Sequence, residues 1–235
     1  MNDERKTQRE KLLSQRKNGY DRVPAQEIPA MERYCSLYKT FLHQGKTERE
    51  CARVAVELAE KALFKPYERG MALKPGDRIY RVNRGKSVML AVIGKQSLEK
   101  GAQIVAAHID SPRLDLKPNP LYEDSELAFF KTHYYGGIRK YQWVTIPLEL
   151  HGVVKEPKFV ITDLLPHLGG EQGKKPLNEA VPGESLNILL GSCPSGEEDE
   201  KDRVKMQILE KLYEKYGITE DDFTSAELEA VPAVK

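Results

Sequence analysis

The chain has 235 residues, with 37 basic and 36 acidic side chains for a net charge of +1, and 40% hydrophobic residues. That is enough length for a substantial core in one large domain or two small ones. The even charge gives no reason to expect a nucleic-acid footprint, which needs a basic domain or stripe, and no apolar run approaches the roughly 20 residues that span a bilayer.

The opening MNDERKTQREK is charged and lacks the apolar stretch of a secretory signal. Cys35, Cys51 and Cys193 are odd in number, far apart and without a CxxC, which points to reduced thiols and a cytoplasmic setting. Residues 1–20 offer only Leu12 and Leu13 as large aliphatics, as in a peripheral helix or a frayed tail. From Ile28 to His43, Met31, Tyr34, Cys35, Tyr38, Phe41 and Leu42 recur at helical spacing, and Gly45 suits the position after a helix. Thr47-Glu48-Arg49-Glu50 fits a capping box, opening a helix whose apolar face is Cys51, Val54, Ala55, Leu58 and Ala62. Two packed helices are therefore expected before the first strand.

Pro66, Gly70, Pro75 and Gly76 mark a loop. Arg78–Asn83 alternates, Ser87–Ile93 is nearly all apolar, and Arg84-Gly85-Lys86 joins them as a hairpin turn. Ile104-Val105-Ala106-Ala107 then reads as a fully buried strand, delivering His108 and Asp110 to its C-terminal end. Side chains two apart on a strand share a face. One imidazole nitrogen is thereby free for a metal while the other donates to the carboxylate. His-x-Asp alone is a frequent pattern, and a structural, hydrogen-bonded histidine is the competing reading.

After Ser111-Pro112 the texture changes. Arg113–Lys117 alternates, Pro118 and Pro120 are expected to break the chain, and strand-like runs follow from Leu121 to about Leu168. Tyr134, Tyr135, Tyr141 and Trp143 suit either a core or an interface. Residues 169–196 are rich in Gly and Pro around a short strand at Leu186–Leu190. An acidic run, Glu197–Glu200, precedes a helix striped by Val204, Ile208, Leu212 and Tyr216 and closed by Gly217. Phe223–Val231 is expected as a half-buried strand, with Ala226, Leu228 and Ala230 inside, Glu227 and Glu229 outside, and Pro232 as its stop.

The blocks HIDSPRLDLKPNPLYED, HYYGGIRKYQWVTIPLELHGVV, FVITDLLPHLGG and VPGESLNILLG, in this order, resemble the aspartyl aminopeptidase / aminopeptidase I family of cocatalytic zinc metallopeptidases. The likeness runs from about Tyr34 to the end and is densest at 101–192. It implies a zinc-exopeptidase-like α/β sheet domain covered by helices and interrupted by an inserted β-rich dimerisation domain. The corresponding segments are 1–117, 118–192 and 193–235. It also implies hydrolysis of the N-terminal residue from peptide substrates, two Zn2+ per complete active site, and a homo-oligomer built from dimers, with a dodecamer among the assemblies it admits. By the same resemblance His108 is a zinc ligand and Asp110 the carboxylate that orients it. His167, in Leu-Pro-His-Leu, is a substrate-side group supplied by a neighbouring subunit or a metal ligand.

Two departures stand out. The family pattern continues past Ala233 into a metal-bridging Asp, a Glu-Glu pair, a further carboxylate and a final His, none of which is present. The hairpin that members carry between the counterparts of Val154 and Phe159 is also shortened here. The chain is therefore expected to be an N-terminal portion lacking most metal ligands. The alternative is a catalytically incomplete assembly or dimerisation fragment. An unrelated hydrolase using His108 and Asp110 as a dyad has no supporting GxSxG or cysteine context.

Overall fold

A computed structural model describes residues 12–13, 18–152, 158–160, 174–197 and 200–233. The chain divides into two units, Met1–Gln44 and Gly45–Lys235. In the first, helix α1 (Ile28–Gln44) forms as its periodicity predicts, yet none of its residues is buried. A helical stripe specifies a face and not what covers it.

The second unit opens with α2 (Glu48–Lys61). Its capping box is present in both directions, Glu50 N–H donating to Thr47 Oγ1 and Thr47 N–H to Glu50 Oε2, each at 3.3 Å. The buried face is Cys51, Ala52, Val54 and Ala59. Leu58, expected on it, is exposed. Small side chains line the contact, so the helix lies close against a hairpin of β2 (Arg78–Asn83) and β3 (Ser87–Val92). The hairpin register runs from Arg78↔Val92 to Asn83↔Ser87, and Arg84 and Gly85 both take positive φ at the turn, the twist that tight hairpins favour. A two-residue strand, β1 (Lys65–Pro66), pairs in parallel with β2.

The remaining strands are β4 (Arg113–Asp124), β5 (Leu127–Tyr135), β6 (Pro147–Gly152), β7 (Lys158–Val160), β8 (Ile188–Gly191) and β9 (Leu228–Pro232). They close into an antiparallel barrel in the order β4-β5-β8-β7-β6-β9. The barrel thus takes in Arg113–Lys117 and β9 as well as much of 118–192. Pro118 and Pro120 do not break the chain as expected. They fall in the register shift between Leu116 and Leu121, where β4 bends and needs no ladder donor. Leu114, Leu148, Leu186, Ile188 and Ala230 are fully buried, and Phe130 meets Phe223 edge-on at 5.6 Å. Trp143 is in this core with Tyr141 packed against it, whereas Tyr134 and Tyr135 remain exposed.

Helix α3 (Arg203–Tyr216) packs on β4, β5 and β8. Its first turn is satisfied by Glu123 of β4, whose Oε2 accepts from the N–H groups of Val204 and Lys205 at 2.8 Å each. A remote carboxylate therefore does what the adjacent acidic run was expected to do. Glu229, expected to face solvent, is only 6% exposed. Alternation does point it out of the barrel, but the start of α2 covers that face. Cys35, Cys51 and Cys193 are free thiols. No helix among the described residues is long and apolar enough to cross a membrane. The result is a mixed α/β fold in which one helix covers the hairpin and another the barrel.

Candidate functional site

Residues 101–112 lead from the hairpin sheet to β4. A left-handed Gly101 (φ 100°) ends the preceding 3-10 turn, Leu98–Lys100. The buried strand expected at Gly101–Asp110 is not formed. The segment joins no ladder, and Val105 is 98% exposed. An apolar run becomes a strand only where neighbouring strands take up its N–H and C=O groups, and the described residues offer this run no such neighbours.

The two residues singled out on this segment nevertheless meet. His108 Nδ1 lies 2.8 Å from Asp110 Oδ1 and 3.2 Å from the Asp110 carbonyl oxygen. Both are acceptors, so Nδ1 carries the proton and donates. In the neutral ring Nε2 then keeps its lone pair, and among the described residues it makes no hydrogen bond. The His108 side chain is 85% exposed, so that lone pair is open to a ligand. His167 lies outside the described residues.

Asp110 is held from the barrel side. Tyr135, the last residue of β5, donates its hydroxyl to Asp110 Oδ2 at 2.9 Å. That bond, with a smaller contribution from His108, keeps the Asp110 carboxyl below its ordinary value. The same bond raises the Tyr135 phenol, which stays protonated and able to donate. Register pairs Tyr135 with Arg113 at the start of β4, and the guanidinium stacks 4.1 Å above the Tyr135 ring centroid. Arg113 is fixed in turn by Glu48 (2.9 Å), Asp115 (2.7 Å) and Glu229 (3.4 Å).

Beside this line, His151 on β6 faces carboxylates from both ring nitrogens: Glu50 at 2.9 Å from Nδ1 and Glu149 at 3.3 Å from Nε2. The Glu50 bond pushes the His151 pKa up despite burial, favouring the imidazolium. Burial acts to raise the Glu50 carboxyl, but His151 and Thr47 more than offset this and leave it lowered. Glu227 bridges Arg49 of α2 and Lys86 of the hairpin turn. The first turn of α2 is thereby clamped to the barrel by charge.

Sequence spacing identified His108 and Asp110 but missed Tyr135 and Arg113. The alternation of Arg113–Lys117 and the HYYGG block were the available signals. Their convergence depends on the β4–β5 register, which a linear reading does not supply. His108 fits one position in a zinc coordination shell: an imidazole with one nitrogen anchored on a carboxylate and the other open. Among the described residues no group of three or more His, Cys, Asp or Glu is disposed to hold a metal ion.

A family profile described as Aminopeptidase I zinc metalloprotease (M18) matches residues 41–235, and the chain belongs to this family. A probable M18 family aminopeptidase 1 from Clostridium acetobutylicum is 45% identical over 244 residues, covering 95% of this chain and 52% of that protein. The crystal structure of an M18 aminopeptidase from Thermotoga maritima superposes with a TM-score of 0.82 at 40% identity, over 95% of this chain and 52% of that one. Aminopeptidase I from Clostridium acetobutylicum gives a TM-score of 0.80 at 43% identity, over 95% and 54% of the two chains. The chain thus spans about half the length of the relatives it matches.

Proposed function

We propose that this polypeptide serves a zinc-dependent aminopeptidase that releases the N-terminal residue of peptides, with His108 as a zinc ligand oriented by Asp110. The observation that carries this reading is the 2.8 Å bond from His108 Nδ1 to Asp110, which leaves Nε2 unengaged in a chain of this family. When bound, a zinc pair supplies polarisation of the scissile carbonyl and acidification of the attacking water. The part played by these residues is to keep the imidazole in the tautomer that can ligate and to fix its direction. A catalytic zinc takes about three protein ligands, so the rest of a two-zinc set comes from outside the described residues. His167 belongs to that remainder, either as a ligand or as a group working across a subunit boundary. Peptide substrates, a cytoplasmic setting and homo-oligomeric assembly belong to the same proposal.

Zinc titration calorimetry tests it. In the complete enzyme, where the remaining ligands are present, His108→Ala should remove one metal and its binding heat, while Asp110→Asn should weaken binding by roughly 10- to 100-fold. Equal affinity in the wild type and the His108 variant sinks the reading. Zinc content of His167→Ala separates its two roles, since loss of metal makes it a ligand.

A second reading is an assembly or dimerisation fragment without activity, in keeping with the described residues, which bring no group of three or more His, Cys, Asp or Glu together to hold a metal. Light scattering combined with hydrolysis of aminoacyl anilides distinguishes the two. Turnover by this chain, or a tight stoichiometric two-zinc site on it, would remove the second reading.

A further inference from the structure

His108 and Asp110 stand on a segment with no ladder of its own, and nothing but Asp110 hydrogen-bonds the His108 ring among the described residues. The direction of that ring is therefore only as well defined as the Asp110 carboxylate. The carboxylate has a second attachment, and it comes from rigid structure. Tyr135 sits in a paired strand directly opposite Arg113, with the guanidinium over its ring and three carboxylates fixing the guanidinium. Its hydroxyl takes Oδ2, which turns Oδ1 toward Nδ1 of His108.

We propose that Tyr135 is a positioning residue for the candidate zinc site, transmitting the rigidity of the barrel through Asp110 to the tautomer and direction of the His108 ring. The inference rests on the zinc reading for its purpose, but its geometry is tested without metal. Removing the hydroxyl frees Oδ2, lets the carboxylate rotate, and weakens the preference for a proton on Nδ1. That preference then falls by the population ratio equivalent to one hydrogen bond, about two- to tenfold.

The test is long-range 1H–15N correlation NMR on the uniformly 15N-labelled chain at about pH 9, where a free imidazole is neutral. The chain has 5 histidines, and His108→Ala identifies the His108 signals. In the wild type, His108 should show a protonated Nδ1 and a bare Nε2. In Tyr135→Phe, which keeps the ring under Arg113, the population protonated at Nε2 should rise about two- to tenfold with the melting temperature unchanged. A purely structural role for the ring would leave the tautomer ratio where it was. An unchanged ratio in Tyr135→Phe, or a wild-type ring already protonated at Nε2, overturns the proposal. Zinc calorimetry on His108→Ala is a separate measurement, so a failure of the zinc reading cannot be mistaken for a failure of the Tyr135 link.

Discussion

Replacing Glu229 by glutamine should stabilise the protein in mildly alkaline solution and change it little in mild acid. The Glu229 carboxylate is buried on β9, its Oε2 has no hydrogen-bond partner among the described residues, and Arg113 Nε lies 3.4 Å away. Burial raises its pKa from 4.5 to about 7; Arg113 opposes this, while Glu48, Asp115 and Glu227 add like charge. His151, opposite it in the β6–β9 register, is the other titrating neighbour. Because the folded value is the higher one, the native state keeps a proton that the unfolded chain releases. The stability linked to that proton is complete below about pH 4.5 and is lost as pH rises through about 7. Applying two-state linkage to these values, the wild type loses roughly 2–3 kcal/mol between about pH 5 and pH 8. The amide of the Glu229→Gln variant cannot ionise and escapes that loss. Urea unfolding followed by emission of Trp143, the one tryptophan and a core residue, measures it. The difference between variant and wild type should open by roughly 2–3 kcal/mol across this pH range. A constant difference, or a variant less stable at pH 8, would refute the reasoning.

The His151 prediction carries the same pH sign. Stability from its raised pKa is present below about pH 6.5 and lost as pH rises through the folded value. His151→Gln should therefore cost about 1–3 kcal/mol near pH 6 and clearly less near pH 9 in denaturant titrations. Leu148→Ala, at a fully buried barrel position, should cost about 2–5 kcal/mol by the same assay, with the far-ultraviolet spectrum preserved. Glu123→Gln removes the charge that satisfies two N–H groups of α3. It should cost about 0.5–2 kcal/mol, and hydrogen exchange at Val204 and Lys205 should accelerate. At Gly152 an added Cβ would lie 2.3 Å from the Glu227 carbonyl oxygen, so Gly152→Ala must push β6 from β9, at about 1–3 kcal/mol in melts.

Local signals carried much of the fold. The capping box at Thr47, the period of α2 and α3, and the Arg84-Gly85 turn act within a few residues, and each formed where the chain indicated. Barrel closure is different. β9 pairs with β4 at Leu114↔Ala230 and with β6 at Leu150↔Ala230. Contacts at that separation follow from topology, which alternation does not encode. Glu229 illustrates the gap: its face was legible, but the helix covering that face was not. At the candidate site, two residues on one short segment met as spacing implied. Tyr135 and Arg113 joined them only through register. The run at 104–107 misled because apolarity alone does not supply ladder partners.

A closed barrel leaves no strand side bare, so backbone pairing by outside polypeptide must go elsewhere. Among the described residues that leaves the β1-β2-β3 sheet, whose β1 flank is blunted by brevity, a lysine and a proline. The β3 flank carries no such guard, and Met89 and Val92 stand exposed along it. Ser87–Val92 is thus the described edge at which an added strand could continue a sheet.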